Sequence, residues 1–194
     1  MKPTAMHEKP KKPLVGALLS LTTAALWGVL PVAIKELLSV MDASTVVWYR
    51  FLVAALVIFF WLASRRNLPD LFRASVRVRW LMLVAALGLC GNYYLFSLSL
   101  NFVNAETSEA VIQLTTLFLI LGGVFIYGEP FVGMQKVGTG LILAGLLLFF
   151  HDRLEILSSL DNAETLGVLI VVVAAITWTI YALLQKQLLG VFSS

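Results

Sequence analysis

One cysteine and two histidines are very little for a chain of 194 residues. Cys90 has no second cysteine with which to close an intramolecular disulfide. His7 and His151 lie too far apart to suggest the spacing of a metal site. Charge is scarce too: only 13% of residues are Asp, Glu, Lys or Arg, against 60% hydrophobic. Soluble domains stay near half apolar, so this balance excludes an ordinary soluble domain and points to a membrane. The long apolar runs lack the period-two alternation of strands. Also missing are G-x-S-x-G, H-E-x-x-H and any acidic cluster suited to metal and phosphate chemistry. The expectation is a protein that is not an enzyme, with no catalytic residues, no metal and no cofactor.

What the chain does have is six apolar runs, at about 14–36, 44–64, 80–100, 106–127, 134–151 and 165–189. Each is near the roughly 17–25 residues that a helix needs to cross a bilayer. Turn-forming residues separate them at Asp42-Ala43-Ser44, Asn67 to Asp70, Asn101 to Asn104, Glu129-Pro130 and Ser158 to Asn162. The basic residues 2–12 followed by the apolar stretch 14–22 have the look of a secretory signal. The apolar character runs on through Trp27 to Ile34, which makes this an uncleaved first span.

The net charge of +3 reflects topology, not a nucleic-acid partner. Eleven of the Lys and Arg residues fall on one set of alternating segments: the tail, the 65–79 loop, Lys136 and Lys186. The other set holds only Lys35 and Arg153. By the positive-inside bias, the N-terminus is expected in the cytoplasm of a cell whose inner membrane holds the protein. The turn at 101–106 and the loop at 152–164 are expected outside.

Shifting the chain by 151 residues lays 16–38 over 167–189, with identities at Gly16/Gly167, Leu18/Leu169, Ala24/Ala175, Trp27/Trp178, Lys35/Lys186, Leu37/Leu188 and Leu38/Leu189. The Trp and Lys pair, eight residues apart in both copies, is the informative part. A repeat of five spans is odd in number, so the second copy enters the bilayer reversed, as in many secondary transporters. The expected organisation is a cytoplasmic basic tail at 1–13, a first repeat at 14–151, an external loop at 152–164, and the first helix of an incomplete second repeat at 165–194. Two full units of this length would need about 300 residues. The chain is therefore expected to be a piece of a longer reading frame.

The segments "LWGVLPVAIK" (26–35), "WYRFLVAAL" (48–56), "NYYLFSLSLNFVNAETSEAVIQLTTLF" (92–118) and "GEPFVGMQKVGTGLILAGLLL" (128–148) together resemble the EamA repeat of the drug/metabolite transporter superfamily. The resemblance covers one whole repeat and the start of another. It implies an all-α integral membrane protein: six transmembrane helices, with a five-helix EamA repeat followed by the first helix of an inverted second repeat. It implies a secondary transporter moving a small metabolite, amino acid or drug-like solute across the cytoplasmic membrane. The partners would be that solute, the lipid bilayer, and the remainder of the second repeat or a second chain. The alternatives are an integral-membrane enzyme, or a non-transporting scaffold or half-carrier. The family often has a proline in the middle of its fourth helix. Thr115-Thr116 stand there in this sequence, so a helix break is not carried over.

The polar residues inside the spans are the candidates for substrate binding or ion coupling, because ionisable groups in a span face protein or water. Glu109, Gln113, Thr116 and Gly123 fall on one helical face below Glu106, which complements the helix dipole in the first turn. For Glu109 the alternatives are a second dipole-complementing acid near the headgroups or a cavity-facing group. Arg50 lies about 9 Å along the second span at about 1.5 Å per residue, a depth comparable to that of Glu109. The two are expected to pair, with Asp42 and Glu36 as rival partners for the arginine. Trp27, Pro31 and Lys35 share a face of the first span. Pro31 either loosens that helix beside a solute path or is simply tolerated, and Lys35 is expected to snorkel to the outer surface. Gly88, Asn92 and Ser99 form a stripe, with the Asn92 amide either bonding a neighbouring helix or selecting solute. Tyr93 and Tyr94 are read as packing and interface residues. Gly138, Gly140, Ala144 and Gly145 are read as a close-packing surface, and Glu129 as a solvated or loop-capping carboxylate. The candidate set is thus Glu109, Gln113, Arg50, Asn92, Thr116 and Trp27.

Overall fold

A computed structural model describes residues 13–65, 75–153 and 162–191. The basic tail before Pro13, the Asn67 to Asp70 turn and residues 154–161 of the expected external loop lie outside the described residues. The described chain is all-α: α1 (Pro13–Leu37), α2 (Ala43–Ser64), α3 (Val76–Ser99), α4 (Ala105–Ile112), α5 (Leu114–Tyr127), α6 (Gly133–Phe150), a single 3₁₀ turn (His151–Arg153) and α7 (Ala163–Val191). With α4 and α5 counted as one interrupted span, six stretches of the described residues are long and apolar enough to cross a bilayer. This is a multi-pass membrane protein.

Helix starts follow local capping chemistry. Asp42 accepts bonds from the Thr45 backbone N–H at 3.0 Å and the Thr45 hydroxyl at 2.6 Å. These bonds hold the Asp42 carboxyl below the usual carboxylate range. Asn104 Oδ1 takes the Thr107 N–H at 2.8 Å. Such caps satisfy N–H groups that the first turn leaves without helical partners. The third span begins earlier than the expected residue 80. Ser75 Oγ lies 3.4 Å from the Val78 N–H, and the helix runs from Val76. Arg77 and Arg79 therefore stand in its opening turns instead of in the loop. Apolarity marks where lipid begins, whereas capping marks where the helix begins.

The fourth span is broken after all, without a proline. At Gln113 the backbone tightens: its N–H reaches Ala110 O at 3.3 Å and the Thr116 N–H reaches Gln113 O at 3.0 Å, both three residues back. Two carbonyls at the break are met by side chains. Gln113 Nε2 donates to Glu109 O at 3.3 Å, and Thr115 Oγ1 to Ile112 O at 2.7 Å. Such a break is tolerated in a membrane where side chains satisfy the backbone.

α7 is the hub of the bundle, packing on α3 above all and also on α4 and α5. Val171, Ala174 and Ala175 are fully buried along it. Close approach is made by residues without bulk. A Cβ on Gly88 would lie 3.1 Å from Thr177 O, one on Gly122 2.6 Å from Leu183 Cδ1, and one on Gly167 2.7 Å from Val103 Cγ1. Asn92 Nδ2 bonds Ala174 O at 2.8 Å, and the Ser99 and Ser108 hydroxyls lie 3.4 Å apart, joining α3 to α4. The Gly88/Asn92/Ser99 stripe is a packing surface.

The glycines of α6 make no such surface. A Cβ on Gly138, Gly140 or Gly145 would meet nothing within 4 Å. This corrects the expected close-packing role among the described residues. Small side chains permit close contact but do not create it, and no described helix lies against any of these three positions.

The apolar core gathers at one end of the bundle. Ile34, Val46 and Leu100 form one buried cluster, and Val111, Phe150 and Val171 a second. Both lie towards the ends of the spans that flank the turn at 101–104.

Candidate functional site

Towards the middle of the spans from these clusters, α1, α2, α3, the α4–α5 break and α7 enclose a cavity of about 350 Å³. Its walls contain all six residues singled out from the sequence: Trp27, Arg50, Asn92, Glu109, Gln113 and Thr116. Glu109, Gln113 and Thr116 share it because they stand at i, i+4 and i+7 along the fourth span, one helical face. Leu30, Ile34 and Phe96 belong both to the cavity wall and to the first apolar cluster. On the side of the 101–104 turn the cavity wall thus runs into packed apolar side chains.

The expected Arg50–Glu109 ion pair does not form. Arg50 stacks its guanidinium over the Tyr93 ring, 4.7 Å from the centroid. Ion pairs between described residues include Lys186–Glu129 and His151–Asp152, both away from this cavity. Asp42 is engaged in its cap and is not the partner of Arg50 either. Matched depth along two helices is insufficient for a pair, because the direction each side chain takes is set by its own neighbours. Here an aromatic face next to Arg50 takes up the guanidinium, an interaction worth about 0.5–2 kcal/mol depending on desolvation. Arg50 and Glu109 remain half-buried on the walls of one cavity.

Four aromatic rings complete the lining: Trp27, Tyr93, Phe96 and Trp178. Sequence reasoning assigned Tyr93 to packing and passed over Trp178 as a site residue. The signal for Trp178 was present in the internal repeat, since it is the image of Trp27. Tyr93 carried no such signal, because its role depends on Arg50 of another helix.

The two lysines matched by the repeat also make contacts that the sequence did not show. Lys35 Nζ donates to Val103 O at 2.7 Å, so it is bonded to the turn before α4 instead of simply reaching for water. Lys186 pairs with Glu129, just after α5, and lies over the Tyr127 ring at 4.7 Å. Glu129 is thus a partner in a contact between elements, not only a solvated carboxylate. Its carboxylate lies over Gly123, and Gly128 makes the turn possible with a φ of 65°. The two lysines accordingly hold opposite ends of the same interrupted span.

The sequence profile of the EamA-like transporter family matches residues 14–151. The chain belongs to that family. A Haemophilus influenzae protein named "Uncharacterized transporter" is 40% identical over 95% of this chain and 60% of its own length. The Escherichia coli K12 "Uncharacterized inner membrane transporter YhbE" is 42% identical over 90% of this chain and 55% of its own. An Escherichia coli K12 "Probable amino-acid metabolite efflux pump" is 26% identical over 89% of this chain and 54% of its own. The chain thus spans between about half and three-fifths of the length of these curated relatives. No solved structure is significantly similar. Among the described residues no group of His, Cys, Asp or Glu could hold a metal ion.

Proposed function

We propose that this chain supplies the solute path of a multi-pass secondary transporter of the inner membrane, carrying a small metabolite, amino-acid-like or drug-like solute. One observation carries the reading. The tryptophans at equivalent places of the repeat, Trp27 of α1 and Trp178 of α7, line one cavity together with polar groups set within the spans. Inverted-repeat carriers bind solute near the bilayer midplane where the first helices of the two repeats meet, commonly beside a discontinuous helix. The α4–α5 break is such a helix, and the lysines at opposite ends of its span fit a second copy that runs in reverse. In this arrangement residues 165–194 open the second repeat. In this reading the N-terminus is cytoplasmic and the 101–104 turn faces outside.

The transport test is uptake or counterflow of radiolabelled solutes in proteoliposomes. Flux of at least one solute above that of empty liposomes is expected, and failure across a broad panel counts against the reading. Orientation is tested with single cysteines in a Cys90→Ala background. Asn104→Cys and Asp152→Cys are expected to react with an impermeant maleimide from outside, and Pro130→Cys only after permeabilisation. The opposite pattern at any of the three would reject this topology.

A further inference from the structure

We propose that the cavity binds a zwitterion, its anionic group on the Arg50 guanidinium and its cationic group on the Glu109 carboxylate. This rests on the reading of the cavity as a solute site, and it starts from the ion pair that fails to form. Both residues line the same cavity of about 350 Å³. The Arg50 contact is with the face of Tyr93. A stacked guanidinium keeps its N–H donors in the ring plane, free to grip a carboxylate or another planar anion. The Glu109 carboxylate has no hydrogen-bond or ion-pair partner among the described residues. The bond that involves this residue beside the break goes to its backbone oxygen.

The two charged groups on the wall call for opposite partners. The Glu109 carboxylate, half-buried and without a counter-charge among the described residues, favours a positive group beside it. Arg50 stays charged under all ordinary conditions, so it calls for an anion. A solute with only a negative charge would satisfy Arg50 and leave the half-buried Glu109 without a counter-charge. A solute with only a positive charge would do the reverse. A charge left unpaired away from water is strongly unfavourable. A zwitterion answers both, and the rings of Trp27, Phe96 and Trp178 give its apolar part a surface. The volume is at the small end of the roughly 300–1,000 Å³ range of small-molecule pockets, which suits a compact solute.

The test is a binding titration of the purified chain in detergent, followed by tryptophan fluorescence. The probes are glycine, leucine and phenylalanine, each beside its amide, which is only cationic, and its N-acetyl form, which is only anionic. For at least one side chain the zwitterion is expected to bind about tenfold or more tightly than both single-charge forms, since a site built for a polar group rejects the analogue lacking it. Glu109→Gln is expected to erase the preference over the N-acetyl form, and Arg50→Gln the preference over the amide. Glu109→Asp and Arg50→Lys should restore part of each preference, which damage to the fold would not. Equal or tighter binding of a single-charge form, or no binding of any of the nine probes, overturns the proposal. Flux in proteoliposomes separates this from the transporter reading. Selective zwitterion binding without flux leaves the ligand class standing and removes transport. Flux of single-charge solutes with no preference for zwitterions does the opposite.

Discussion

Gly88→Leu is expected to destabilise the bundle strongly, while Gly140→Leu leaves it almost unchanged. Both glycines sit in the middle of apolar helices; Gly140 was read from the sequence as a close-packing residue and Gly88 as part of the Gly88/Asn92/Ser99 stripe. The structure separates them. A Cβ at Gly88 would already lie 3.1 Å from Thr177 O and 3.4 Å from Tyr181 Cβ. A leucine there adds three further carbons in the most extensive helix contact of the molecule, α3 against α7. Either the helices separate or neighbouring side chains leave their rotamers, and overpacking of this kind costs about 1–3 kcal/mol. Separation would also stretch the Asn92 Nδ2 bond to Ala174 O, which is one turn away on the same face. At Gly140 a Cβ meets nothing within 4 Å, and an uncrowded exposed site is expected to change stability by no more than about 0.5 kcal/mol. Thermal unfolding of the three proteins in one detergent decides the matter. Equal stability of the two variants would mean that α3 and α7 do not meet as described, or that α6 is packed where it is seen to be open.

Trp27→Ala and Trp178→Ala are expected to weaken solute binding by about tenfold each, and together by about a hundredfold, if the indoles hold the bound molecule between them. Their equivalence in the repeat makes the comparison informative. Two ring surfaces on the wall of one cavity should contribute similarly even though Trp27 is 60% exposed in the unliganded chain. Trp48 and Trp61 are as exposed but stand outside the cavity, so Trp48→Ala and Trp61→Ala should leave affinity unchanged. Equilibrium dialysis with radiolabelled phenylalanine avoids using the tryptophans themselves as the reporter. If all four variants bind alike, the indoles serve only as apolar surface and the solute path lies elsewhere.

Much of this architecture was legible in the residues because the bilayer imposes simple demands. A span needs length and apolarity, and turns collect Asp, Asn, Gly and Pro, so six spans could be marked before any contact was known. The Trp27/Trp178 and Lys35/Lys186 matches exposed the internal repeat because those residue types are uncommon coincidences in an apolar helix. Polar groups inside a span must face protein or water, and that rule pointed to Arg50, Asn92, Glu109, Gln113 and Thr116, which the fold brings to one cavity with Trp27 of the repeat.

Other features were decided only by the tertiary structure, because they depend on what faces what. Hydropathy averages over a helix and could not locate the break at Gln113, which rests on single hydrogen bonds from Gln113 and Thr115. Composition could not distinguish Gly88, pressed against α7, from Gly140, which faces open space, since the residue is the same and only its neighbour differs. Equal depth suggested that Arg50 and Glu109 would pair, but depth is one coordinate of three. The ring of Tyr93, from a third helix, takes up the guanidinium and leaves both charges to the cavity. The sequence determined which groups lie within the membrane, because solvation acts on each residue singly. The tertiary structure decided which of them meet, because pairing requires distance and direction that no one-dimensional pattern contains.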